Sequence, residues 1–127
     1  MTSEAKKILV VDDEPDVHEF LTAVLDDAGY RHESAMDGEE AMKLIEADPP
    51  DLIALDVTMP QKSGVGVYRT LKNDDRFKHI PVIFVTGVAE DFEKFISSRR
   101  QVPPPEGYIS KPIGHDQFLE MVKKLIG

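Results

Sequence analysis

Five short runs rich in apolar and β-branched residues recur along this chain, alternating with segments whose apolar residues keep helical spacing. That alternation restricts the fold more than any other feature. The runs are residues 7–11 (KILVV), 31–35 (RHESA), 51–57 (DLIALDV), 81–86 (PVIFVT) and 107–110 (GYIS). KILVV is continuously apolar, the signature of a strand buried on both faces, whereas RHESA is weaker. Pro81 stands first in its run, where a missing N–H costs least. Between the runs, Val17, Phe20, Leu21, Val24, Leu25 and Ala28 follow helical spacing, and Gly29 stands where a C-terminal cap belongs. Ala41, Leu44 and Ile45 mark a second helix stopped by Pro49 and Pro50. A third runs from about residue 64 to 73 through Val65, Tyr68 and Leu71, weakened by Gly66. Phe92, Phe95 and Ile96 mark a fourth, and Phe118, Met121, Val122, Leu125 and Ile126 the last. The expected fold class is α/β, a parallel sheet with helices on both faces.

A length of 127 residues fits one domain, and 41% hydrophobic with 31% charged residues fits a soluble globular protein. The net charge of -9 disfavours direct capture of nucleic acid or anionic membrane and makes a cation the more natural ligand. Arg99 and Arg100 are too few to argue otherwise, and no glycine-rich phosphate loop supports nucleotide binding. There is no cysteine, hence no disulfide or thiolate metal site. The opening MTSEAKK lacks an apolar signal core, and no run approaches the ~20 apolar residues of a membrane helix. Cytoplasm is the default location.

In open parallel sheets, ligands bind outside the carboxyl ends of the strands. Asp12 and Asp13 follow the first strand, Asp56 closes the third, Thr86 closes the fourth and Lys111 follows the fifth. Each has an ordinary reading. Asp12 or Asp13 could cap the first helix, Thr86 could be a strand-end hydroxyl satisfied by backbone, and Lys111 a solvated loop lysine. Asp56 resists one, because it ends an apolar strand and a buried carboxylate is costly unless paired or bound to metal. Taken together, three carboxylates repel unless a divalent cation and a lysine neutralise them, which fits a Mg²⁺ site beside a cationic phosphate partner. His18, His32, His79 and His115 are scattered without ligand spacing and read as surface residues.

The set VVDDEP, LDVTMP, FVTG and YISKP, in this order, resembles the receiver domain of bacterial two-component response regulators over nearly the whole chain. The resemblance implies a doubly wound, flavodoxin-like (βα)5 fold with one five-stranded parallel sheet. It implies that Asp56 is the phosphoacceptor, taking a phosphoryl group from a phosphohistidine of a sensor histidine kinase or phosphotransfer protein. Asp13, Asp56 and the backbone carbonyl of Thr58 would hold Mg²⁺, with Asp12 acting through water and Lys111 pairing with the phosphoryl oxygens. Thr86 and Tyr108 resemble the family's switch pair, the plainer alternative for Tyr108 being a half-buried strand aromatic. The Lys111–Pro112 bond would be cis.

The resemblance also has departures. Residues 97–107 (SSRRQVPPPEG) replace the usual short link into the fifth strand, and Pro103, Pro104 and Pro105 favour an extended segment. This is either a partner-specific surface or a tolerated insertion, and a homodimer through the neighbouring face stays open. Thr58 and Val88 carry no carboxamide or carboxylate that could orient water, which predicts slow self-dephosphorylation. A haloacid dehalogenase phosphatase would need an acid where Thr58 stands. A degenerate receiver serving only as an interaction module usually loses an acid or the lysine, and this set is complete. No output domain follows Gly127, so the expectation is signalling through protein contacts with a downstream target or through phosphorelay, unless the chain is a fragment of a larger regulator or hybrid kinase.

Overall fold

The computed structural model describes residues 5–57, 64–86 and 106–127, with the backbone alone at Val65 and Thr86. In chain order these form β1 (Lys7–Val11), α1 (Pro15–Asp27), β2 (Arg31–Ala35), α2 (Gly38–Ala47), β3 (Leu52–Asp56), α3 (Gly64–Lys72), β4 (Val82–Thr86), β5 (Gly107–Ser110) and α4 (His115–Ile126). The strands make one parallel sheet in the order β2-β1-β3-β4-β5. Every residue of β1 and of β3 is buried, as their unbroken apolar runs require of inner strands, while β2 lies at an edge with most of its residues partly open.

Alternate side chains of each strand leave opposite faces of the sheet, so two cores form. Leu9, Val11, Ile53, Leu55, Val82 and Phe84 meet α2 and α3 through Ala41, Ile45, Val67, Tyr68 and Leu71. Ile8, Val10, Leu52, Ala54, Ile83 and Val85 meet α1 and α4 through Leu21, Val24, Leu25, Phe118 and Val122. Helices thus cover both faces of the sheet.

Local chemistry sets where helices begin and end. α1 closes on Gly29 at φ 86, where its N–H reaches Asp26 O at 3.1 Å and the N–H of Tyr30 reaches Leu25 O at 2.9 Å. This paired closure needs a left-handed residue, which glycine supplies without steric cost. α2 opens on Asp37, whose carboxylate accepts from the Glu40 N–H at 2.8 Å. Gly107 is constrained differently, because a Cβ there would collide with the Met121 sulfur on α4.

The first helix turns inward the face that its apolar spacing predicts, but differs at the margin of that face. His18, Leu21, Val24 and Leu25 are buried, while Phe20 remains 39% exposed. Successive helical residues are about 100° apart, so a stripe centred on Leu21 and Leu25 leaves Phe20 at its margin and brings His18 within it. The surface reading of His18 is therefore corrected. The helix expected around Phe92, Phe95 and Ile96, the Pro103–Pro105 tract, Thr58 and Val88 lie outside the described residues. Among the described residues, no helix is long and apolar enough to cross a membrane.

Candidate functional site

Strand register builds the site. Val11 of β1 lies level with Leu55 of β3, so the next residues along each chain, Asp12 and Asp56, emerge side by side. Both are only 1% exposed. The Asp12 N–H donates to Ala35 O at 3.1 Å, which ties the chain to the end of β2 as it leaves the sheet. Its carboxylate Oδ1 accepts from the Glu14 N–H at 2.9 Å. Glu14, not Asp12 or Asp13, occupies the N-cap of α1 and makes no side-chain cap bond, so the helix-capping alternative for the two aspartates does not hold. Pro15 then opens the first turn, where its missing N–H has no partner to lose.

Lys111 follows β5 from the far side of the sheet, joined to Pro112 by a cis bond. Its ammonium lies 3.2 Å from Asp12 Oδ2 and 3.4 Å from Asp56 Oδ2, and it donates to Glu14 Oε1. The loop-lysine alternative fails with this placement. Asp12, Asp13, Glu14 and Asp56 each offer a carboxylate oxygen, all within 4.8 Å of one another. Glu14 belongs to the same acidic stretch of the sequence, and the structure draws its carboxylate into the cluster. Its adjacency to Asp12 and Asp13 was the only signal that could have enrolled it.

The electrostatics are unequal within the cluster. Burial pushes the Asp12 carboxyl above its ordinary range, and the nearby Asp56 charge adds to this, against the opposing pull of the Glu14 N–H and Lys111. Burial works against the Lys111 ammonium, but hydrogen bonds to Glu14 and Asp12 and the charges of Asp12 and Asp56 prevail and hold it above its ordinary range. Crowded anions facing one cation form a site that favours additional positive charge. The donor set is oxygen only, the type that hard cations such as Mg²⁺ accept.

Thr86 ends β4 opposite Ser110, at the same sheet edge. Its side chain lies outside the described residues. Tyr108 is half-buried on β5, and its ring meets Phe84 edge-on at 5.9 Å and 89°. Phe84 in turn meets Tyr68 of α3 at 4.8 Å and 79°. The aromatic row therefore runs from the strand that carries the lysine into the core beneath α3.

This arrangement coincides with a known family, whose description, response regulator receiver domain, matches residues 8–123. The chain belongs to that family. It is 34% identical to the polar-differentiation response regulator DivK of Brucella anthropi over 122 residues, which are 96% of this chain and 97% of that one. Among solved structures, the chemotaxis protein CheY4 of Vibrio cholerae superposes with a TM-score of 0.85 at 26% identity, covering 95% of this receiver and 98% of CheY4. The receiver domain of a sensor histidine kinase from Pseudomonas aeruginosa, solved with a magnesium ion coordinated in its active-site cleft, shares the fold with a TM-score of 0.84 at 23% identity, covering 97% and 98%. The flavodoxin-like fold expected from the resemblance is borne out by the strand order and by these likenesses. Phosphorylation and a Mg²⁺ site are features of the family, which is a signalling domain of two-component systems.

Proposed function

We propose that residues 1–127 form a single receiver domain in which Asp56 accepts a phosphoryl group from the phosphohistidine of a sensor kinase or phosphotransfer protein. One observation supports this above the others: a carboxylate 1% exposed at the end of β3, with an ammonium 3.4 Å away and three further acids around it. In the reaction, an Asp56 carboxylate oxygen attacks phosphorus, the P–N bond to the donor imidazole breaks, and that nitrogen leaves with the bonding pair. The sheet end holds the nucleophile rigidly, and Lys111 is placed to balance charge on the transferred oxygens, which is most of what phosphoryl transfer asks of a protein.

Asp12, Asp13 and Asp56, with the Thr58 carbonyl, would hold Mg²⁺, consistent with the crowded oxygen donors and with the ion in the Pseudomonas structure. The bound ion would neutralise charge between carboxylate and phosphoryl oxygens. A groove of about 540 Å³ beside Lys111, with Val17, Phe20 and Ile113 in its walls, offers a protein donor apolar footing. Aspartyl phosphate adds about -1.5 to -2 charges at neutral pH. Thr86 and Tyr108 would convert that charge into a changed surface for a downstream protein, in the cytoplasm, with the domain assisting only its own phosphorylation and dephosphorylation.

Incubation with acetyl phosphate and Mg²⁺, followed by intact mass, tests this reading. One phosphoryl adduct is expected on the parent and none on Asp56→Asn. Labelling of the variant as full as the parent's would end the proposal, as would rapid release of free phosphate with no adduct accumulating on the parent.

A further inference from the structure

His18 is 9% exposed, the one imidazole that the fold buries among the described residues, and it stands directly behind the acidic turn. Its Nε2 lies 2.7 Å from the main-chain carbonyl of Asp12. A carbonyl only accepts, so Nε2 carries the ring proton and donates it. The other nitrogen, Nδ1, is buried with no hydrogen-bond partner among the described residues. A buried ring that leaves one nitrogen unsatisfied has a cost, and an apolar residue would fill the same helical position without it. The bond to the Asp12 carbonyl, which is the one it makes among the described residues, is therefore where its use lies.

That bond falls on a sensitive peptide unit. The carbonyl belongs to the planar link between Asp12 and Asp13, so holding its oxygen sets the direction in which Asp13 departs. The preceding peptide unit, between Val11 and Asp12, is anchored by the Asp12 N–H on Ala35 O, and the Asp12 carboxylate is anchored by the Glu14 N–H. With His18 in place, the main chain of Asp12 is held on both sides, at its N–H and at its carbonyl. Asp13 itself is exposed.

We infer that His18 is a positioning residue: its Nε2–H, bonded to the Asp12 carbonyl, fixes the Asp12–Asp13 peptide and so presets the acidic turn for a divalent cation. This rests on the functional reading above and adds to it a residue on a helix face that contributes no ligand. Groups that orient metal ligands from behind affect affinity by about 10-fold or more.

The test uses the full chain and Mg²⁺ alone, titrated by amide chemical shifts of Asp13 and Asp56 and by calorimetry. His18→Leu fills the volume without a donor. His18→Gln places an amide N–H where Nε2 lies, and His18→Asn places it short of that point. Leu and Asn are expected to weaken Mg²⁺ by about 10-fold, while Gln stays within about twofold of the parent and restores the donor. Thermal unfolding in parallel separates a loss of fold from a loss of preset geometry. A folded Leu variant with the parent's affinity, or a Gln variant as weak as Leu, overturns the inference while leaving Asp56 labelling intact. A parent that binds no Mg²⁺ and takes no label sinks the functional reading and this inference with it.

Discussion

The two ends of the sheet each hold a lysine among acids, and they are built in opposite ways. At the amino end, Lys7 Nζ donates to the main-chain and carboxylate oxygens of Asp48, both at 2.8 Å, and pairs with Glu33 at 3.0 Å. There the cation is buried, its side chain 6% exposed, and the anion lies in water, with the Asp48 side chain 70% exposed. At the carboxyl end the anions Asp12 and Asp56 are buried and Lys111 is the more open partner. The Lys7 hydrogen bond and charge hold the Asp48 carboxyl below its ordinary range. Burial and Asp56 push Asp12 above it. Identical residue types therefore stabilise one end and strain the other. The balanced end serves the fold, and the anionic surplus at the other end is the perturbed kind of cluster that marks a candidate functional site.

Substitutions at the two lysines break this comparison most directly. Lys111→Met is expected to slow acetyl phosphate labelling by about 100-fold, the scale for losing a positioned charge at a developing anion, read from the rate of the mass shift. Unchanged labelling would remove the functional half of the contrast. Lys7→Met should leave labelling as it is and lower stability by about 2 kcal/mol in urea unfolding, the order of a charged hydrogen-bond set.

Asp12→Asn keeps an oxygen for the Glu14 N–H while removing the desolvated charge. In the absence of metal it is expected to raise stability by about 1 kcal/mol at neutral pH, and Mg²⁺ should add less stability than it adds to the parent. The pH dependence sharpens the same point. Asp12 has a folded value above 3.8, so its contribution is fully present below 3.8 and is lost as pH rises through the raised value. The advantage of Asp12→Asn should thus shrink as pH falls from neutral toward 4. Asp48, lowered from 3.8, has the opposite sign: its stabilisation is present above 3.8 and is lost as pH falls through the lowered value. Thermal melts of Asp12→Asn and Asp48→Asn between pH 3 and 7 should therefore diverge in direction, and parallel curves would contradict the asymmetry.

The smallest effect is expected at Glu14, whose side chain stands partly in solvent against Lys111. Glu14→Gln frees the ammonium and should speed labelling by acetyl phosphate about twofold, in keeping with ~0.5 kcal/mol for a screened ion pair.

Much of this molecule was legible along the chain. Buried strands at KILVV and DLIALDV, the glycine closing α1 and the acids and lysine at strand ends all follow from neighbours a few residues apart. The errors arose where local spacing left a choice. Phe20 and His18 both fit within a helical turn of Leu21, and the sequence pattern favoured the more apolar of them. The fold instead seats the imidazole, because the Asp12 carbonyl from the preceding strand end offers Nε2 a partner there. Glu14 likewise became part of the site only when Lys111, 97 residues away, arrived beside it.

By itself, then, the sequence determined the alternation of strands and helices, the membership of the family and the identity of the strand-end acids, since each is carried by spacing within one segment. Tertiary structure alone decided which side of each lysine–carboxylate cluster loses its water and that His18, not Phe20, joins the inward face of α1. Desolvation depends on what packs against a group from distant parts of the chain, and no local pattern contains that information.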